Sequence, residues 1–199
     1  MSKSSRRMIA SRHCVTPPNN LSIKATTYLM KARLLKTTGL ALLLAALPAL
    51  ASAKSEKSPE QTFVKKAAQG GMTEVQLGDL ASKQGSTSAV KDFGAMMVTD
   101  HTKLNEGLKS AAEKKGYKVP AKLNPEHQAL VDKFSKLSGA EFDKAYIAEM
   151  VKDHEADYAA FQNADQTLTD PDLKAAVESA LPVIKSHLDH VKEIKASEK

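Results

Sequence analysis

The chain of 199 residues has no tryptophan, a single cysteine at Cys14, and no arginine after Arg33. Each absence excludes something. Without a second cysteine there is no disulfide framework, and beyond residue 53 there is neither a cysteine nucleophile nor a thiolate metal ligand, so stability there rests on burial alone. The 146 residues from position 54 onward are enough for one ordinary domain. Acidic residues are missing from positions 1–53, which hold eight Lys and Arg; the remainder carries 21 Lys against 23 Asp and Glu. The apparent basic character of the whole chain therefore belongs to its first quarter. A nearly neutral, arginine-free remainder lacks the clustered cationic footprint of a nucleic-acid binder, and its few aromatics offer no stacking platform for bases.

The first quarter reads as an export signal. Lys31, Arg33 and Lys36 precede a Leu/Ala run from Leu40 to Leu50, and Ala51-Ser52-Ala53 follows as a small-residue cleavage site. The run is shorter than the roughly 20 apolar residues of a membrane span and is interrupted by Pro48, so cleavage after Ala53 and no retained transmembrane anchor are expected. Met30 opens a signal of normal length, and residues 1–29 read as an over-long gene start or an unusual leader. The expected organisation is a signal over 1–53, a linker over 54–58 and a helical domain over 59–195, with the mature protein in the periplasm.

Beyond residue 58, glycine and proline are sparse, β-branched runs are missing, and apolar residues recur at three- and four-residue steps, the period of helices. Four long helices are predicted, over about 59–81, 88–115, 140–164 and 171–194. Their inner stripes run through Phe63, Ala67, Gly70, Glu74, Leu77 and Ala81; Val90, Phe93, Met97, His101, Leu104 and Leu108; Tyr146, Met150, His154, Asp157 or Tyr158, and Phe161; and Leu173, Val177, Ala180, Ile184, His187 and Val191. Gly116 is placed to end the second helix, and Asn124-Pro125-Glu126 to start a short helix reaching Leu137. Pro182 inside the last helix removes one backbone donor and predicts a kink. The long middle connection suits a crossover, which gives an all-α bundle of two helical hairpins joined by a short crossover helix. Met97-Val98-Thr99-Asp100-His101 recurs as Met150-Val151-Lys152-Asp153-His154, an internal echo between the hairpins.

Each of the four stripes carries one group able to ligate a metal: Glu74, His101, His154 and His187. A lone carboxylate on an apolar line is costly unless a cation partners it, and imidazoles suit transition metals. The prediction is one transition-metal ion, iron, zinc or copper, held by these four residues, with Asp100 and Asp153 as alternate ligands or as acceptors that orient an imidazole. The competing expectation is a metal-free envelope or stress-related protein whose buried polar cluster serves packing. Met97 and Met150 lie one turn before His101 and His154; they read as core residues, although thioethers beside imidazole would favour cuprous copper. His127 and His190 read as peripheral. Neither a phosphate-binding glycine loop nor a His-Glu-Xaa-Xaa-His motif is present, and no reaction is assigned.

The runs Phe63 to Ala81, Phe93-Gly94 to His101, Phe142 to His154 and Leu181-Pro182 to His187-Leu188 resemble the bacterial domain-of-unknown-function 4142 family over about residues 59–194. The resemblance implies an exported envelope protein with a ferritin-like four-helix bundle. Ferritin-like two-iron sites use Glu-Xaa-Xaa-His pairs. Here the residues three before the histidines are Val98, Val151 and Ile184, so the donors fit a mononuclear site.

Overall fold

Ser58 starts the first helix: its side chain accepts from the Gln61 amide, and Pro59 follows where a missing N–H costs nothing. The computed structural model describes residues 58–197, so the expected signal peptide, its cleavage site and most of the linker lie outside the described residues. Five helices make up the bundle: α1 (Pro59–Gln84), α2 (Ser88–Lys114), α3 (Pro125–Phe134), α4 (Gly139–Thr167) and α5 (Pro171–Ser197). Among the described residues none is long and apolar enough to cross a membrane.

The predicted caps act locally as their chemistry dictates. Gly116 adopts φ +76°, the Tyr117 amide donates to the Ala112 carbonyl, and the Gly116 amide donates to that of Glu113. This two-bond closure satisfies the last carbonyls of α2, and only glycine takes that backbone conformation without strain. Asn124 accepts from the His127 amide ahead of Pro125. Helix α3 stops at Phe134, three residues before the predicted end, because Lys136 and Leu137 donate at three-residue spacing in a closing turn. The helix α5 assignment continues through Pro182.

Chain direction follows from the contacts at the ends. Asp143, early in α4, accepts from the amides of Ser86 and Thr87 and from the Ser86 hydroxyl, placing the start of α4 beside the α1–α2 turn. At the other end Thr169 donates to Glu60, and Lys115 pairs with Asp172 at 2.9 Å. Helices α1 and α5 therefore run one way and α2 and α4 the other. Packing joins α1 to α2, α2 to α5, α5 to α4 and α4 to α1, so each long helix has two antiparallel neighbours. One crossover joining two antiparallel hairpins is the ferritin-like connectivity expected.

The crossover is fastened by two glutamines of α1. Gln61 donates to the Lys118 carbonyl and accepts from the Lys118 amide, both at 2.8 Å; Gln69 donates to the Lys122 carbonyl and accepts from the Asn124 amide. Helices α1 and α2 approach closest at Gly78 and Gly94, where a Cβ on either would press on the other's carbonyl at 2.8 or 2.6 Å.

The core forms two apolar clusters. One, toward the α1–α2 turn, is built on Phe93, Phe134, Phe142, Tyr146, Met97 and Met150. The other, toward the start of α1, combines Leu108, Tyr117, Leu168 and Leu173 with smaller groups such as Val64, Ala68, Ala111, Ala112 and Ala164. The inner stripes of α2 and α5 face inward largely as predicted, whereas Phe63, Ala67 and Gly70 of α1 are half-buried and Val64, Ala68 and Gly71 take the inner positions.

Candidate metal centre

Between the two apolar clusters lies a polar layer at mid-height of the bundle. Glu74 on α1, His101 on α2, His154 on α4 and His187 on α5 are all buried, at 3, 4, 0 and 1% exposure. The imidazole rings converge, with centroid separations of 5.2 Å for His101–His187, 5.5 Å for His154–His187 and 5.7 Å for His101–His154. One ring nitrogen from each lies within 4.8 Å of the others.

The opposite nitrogen of each ring is engaged by an acceptor. His101 Nδ1 donates to Glu74 Oε2 at 2.9 Å, His154 Nδ1 to the Met150 carbonyl at 3.0 Å, and His187 Nε2 to Asp100 Oδ2 at 3.0 Å. A carbonyl and a carboxylate only accept, so these contacts place a proton on the engaged nitrogen of each ring, and the far nitrogen offers an electron pair when its ring is neutral. Those far nitrogens, His101 Nε2, His154 Nε2 and His187 Nδ1, are buried without a hydrogen-bond partner, as is Glu74 Oε1. Each orphaned buried group costs about 1–3 kcal/mol unless something satisfies it. Glu74 Oε1 and His154 Nε2 face one another at 3.6 Å, two acceptors with no donor between them.

The electrostatics separate the four groups. Burial would raise the Glu74 carboxyl, but the charge and hydrogen bond of His101, with His154 and His187 behind, hold it well below the usual carboxylate range. Burial likewise opposes a charge on His101, and Glu74 overrides it, leaving the imidazole's affinity for protons raised. Glu74 and His101 thus each favour the charged form of the other. His154, with burial dominant, is pushed down to about 4, and His187 is also lowered by burial, so both are neutral near pH 7.

Of the two flanking aspartates, Asp100 reaches the cluster through His187 while 38% of its side chain stays exposed. Asp153 does not touch a histidine; its carboxylate lies 3.8 Å from Lys152. Asp157 is the residue that the stripe pattern left undifferentiated from Tyr158. Burial, then the charges of Glu74 and Asp153, raises its carboxyl to about 8, and burial with Glu149 raises Asp153 to about 7. Of these causes burial favours only the neutral acid, whereas the neighbouring negative charges also favour a cation. Its only sequence signal was its place three residues after His154. Met97 and Met150 are fully buried in the aromatic cluster, His190 is exposed with its ring 5.4 Å from that of Phe93, and His127 lies beside its cap Asn124.

Two cavities border the layer. A small one of about 30 Å³, lined by Glu74, His101, Asn105, Asp157 and the surrounding Ala67, Ala176 and Ala180, is large enough for a water-sized ligand. A broad groove of about 990 Å³ between α1, α3 and α4 reaches inward to Glu74.

The model of the domain of unknown function DUF4142 matches residues 45–194. The chain belongs to the DUF4142 family. Two solved structures share this DUF4142 bundle at low sequence identity. CopM in its Cu(I)-bound form aligns with a TM-score of 0.57 and 11% identity, over 69% of this chain and 96% of that one. A DUF305 fragment from Deinococcus radiodurans aligns with a TM-score of 0.59 and 12% identity, over 69% of this chain and 95% of that one. At such identities the likeness is one of fold. No curated protein matches the chain. The buried histidine cluster of this DUF4142 chain is compatible with metal binding.

Proposed function

We propose that this is an exported, periplasmic metal-binding protein that holds one transition-metal ion on His101, His154 and His187, with Glu74 beside them. The observation that carries the reading is the convergence of three buried, partnerless ring nitrogens whose opposite nitrogens are each fixed by a carboxylate or carbonyl. That is how proteins orient metal-bound imidazoles. Glu74 Oε2 acts through His101, and Oε1 is available to an ion that relieves its opposition to His154. Export rests on the charged, Leu/Ala-rich and small-residue pattern over residues 31–53.

Three imidazoles with one carboxylate suit zinc or copper better than a two-iron centre, which needs more carboxylates. CopM, described as Cu(I)-bound, supports copper by shared fold alone. The deciding measurement is elemental analysis of tag-free, exported protein alongside His154→Ala and Glu74→Ala. The expected result is near-stoichiometric zinc or copper in the wild type, absent from His154→Ala and reduced in Glu74→Ala, with helicity retained.

The Glu74–His101 contact favours a second reading, because it gives each of these groups one partner without an ion. A metal-free packing role predicts wild-type protein that neither contains nor takes up metal, with the same substitutions lowering only thermal stability. Metal lost on chelation and restored on addition would rule it out.

A further inference from the structure

The four buried donors have to be reached from solvent, and among the described residues a broad groove leads to one of them, Glu74. On the α1–α2 side, Gly78 and Gly94 bring the backbones into contact, and on the α2–α5 side Phe93 lies against His187 and His190. Between α1, α3 and α4 the groove runs from exposed residues down to Glu74, whose Oε1 is buried and unpartnered at its inner end. Asp153 and Asp157, one turn apart on α4 and therefore stacked on one face, line its floor. Asp157 also lines the small cavity beside His101, so it borders both the approach and the cluster.

Gly70 stands opposite. A Cβ there would lie 3.7 Å from Asp157 Oδ2, so any longer side chain would occupy the space in front of that carboxylate. Glycine inside a helix is destabilising by about 1 kcal/mol relative to alanine, a cost that an open passage explains. The outer rim carries Lys65, Lys66, Lys133 and Lys152, so the carboxylates work at contact range rather than by long-range attraction.

We propose that this groove is the loading route for the ion, with the side-chain oxygens of Asp153 and Asp157 exchanging for water as a hydrated cation moves inward and Glu74 receiving it at the histidines. The inference rests on the metal-binding reading and adds to it a path and two residues that act in transit without being ligands of the bound ion. A route changes the rates of entry and exit together and leaves the equilibrium untouched, whereas a ligand changes the equilibrium.

The test is stopped-flow uptake of Zn2+ and, separately, Cu2+ by the exported full-length protein, with release to a chelator measured in parallel. The variants are Asp153→Asn/Asp157→Asn, which removes the carboxylates, and Gly70→Leu, which obstructs the groove without changing charge. Both are expected to slow uptake and release alike by about tenfold, with stoichiometry and Kd within about twofold of wild type. Wild-type rates in both variants would overturn the route and leave the metal site standing. A weakened Kd with unchanged uptake would make the aspartates ligands and also overturn it. Wild-type protein that takes up neither ion would overturn the metal reading itself.

Discussion

The two ends of the bundle core are built differently, and the polar layer between them takes a different character on each side. Toward the α1–α2 turn the histidines rest on a platform of large rings: Phe93 meets His187 edge-on at 6.3 Å and Tyr146 at 6.1 Å, and Tyr146 stacks on Phe142 at 5.5 Å. Toward the start of α1 the same layer faces the small cavity, walled by Leu104, Leu108, Phe161 and Val177 together with alanines. One side thus fixes the imidazoles and the other leaves room beside Glu74 and His101. A bundle can hold four polar groups rigidly at its centre if only one flank is packed to the limit.

The sharpest way to break this contrast is Phe93→Ala. Removing a fully buried ring is expected to cost about 3–5 kcal/mol in urea unfolding, and to loosen His187 so that metal affinity falls with stability. Asp143 latches the same end through three contacts to Ser86 and Thr87, and Asp143→Ala is expected to cost about 1.5–3 kcal/mol, since hydrogen bonds to a charged group are lost. It should leave metal stoichiometry unchanged, because the latch lies at the end of the bundle.

The layer itself predicts proton release. Burial keeps His154 and His187 neutral while Glu74 raises the proton affinity of His101, so below the His101 pKa a bound ion displaces about one proton, from His101 Nε2. Because the proton competes with the ion, affinity should rise about tenfold per pH unit, or ~1.4 kcal/mol, until His101 titrates, and level off above. Calorimetry in two buffers of different ionisation enthalpy counts the proton, and His101→Ala should abolish its release. The smallest expected effect is on the open flank: Ala176→Val, at the cavity wall, should shift stability by less than about 1 kcal/mol because filling and crowding oppose one another. A larger loss there would show that both flanks are equally tight.

Most of the fold was legible because its signals are local. Asn124-Pro125 and the Gly116 terminus are read from adjacent residues, and the stripes follow from helical period. The four polar groups of the layer were also visible, one per helix. What the sequence withheld was pairing across helices. Nothing local says that Glu74 takes His101 as its partner, that Asp100 reaches His187 on α5 while its echo Asp153 turns to Lys152, or that Asp157 rather than Tyr158 borders the site. Those outcomes depend on small rotations of each helix, as the inner face of α1 shows, where Val64, Ala68 and Gly71 displace the predicted Phe63, Ala67 and Gly70.

The glutamine clamps on the crossover carry a consequence for how this surface can change. Gln61 and Gln69 grip main-chain atoms of Lys118, Lys122 and Asn124, and the side chains of Lys118 and Lys122 are turned outward. The path of the segment is therefore set by these clamps together with its own inward residues Tyr117, Val119 and Leu123. An outward position such as Lys122 can be rewritten to present new chemistry, a peptide epitope or a dye-bearing cysteine, while the strap keeps its course and the histidine layer beneath stays undisturbed.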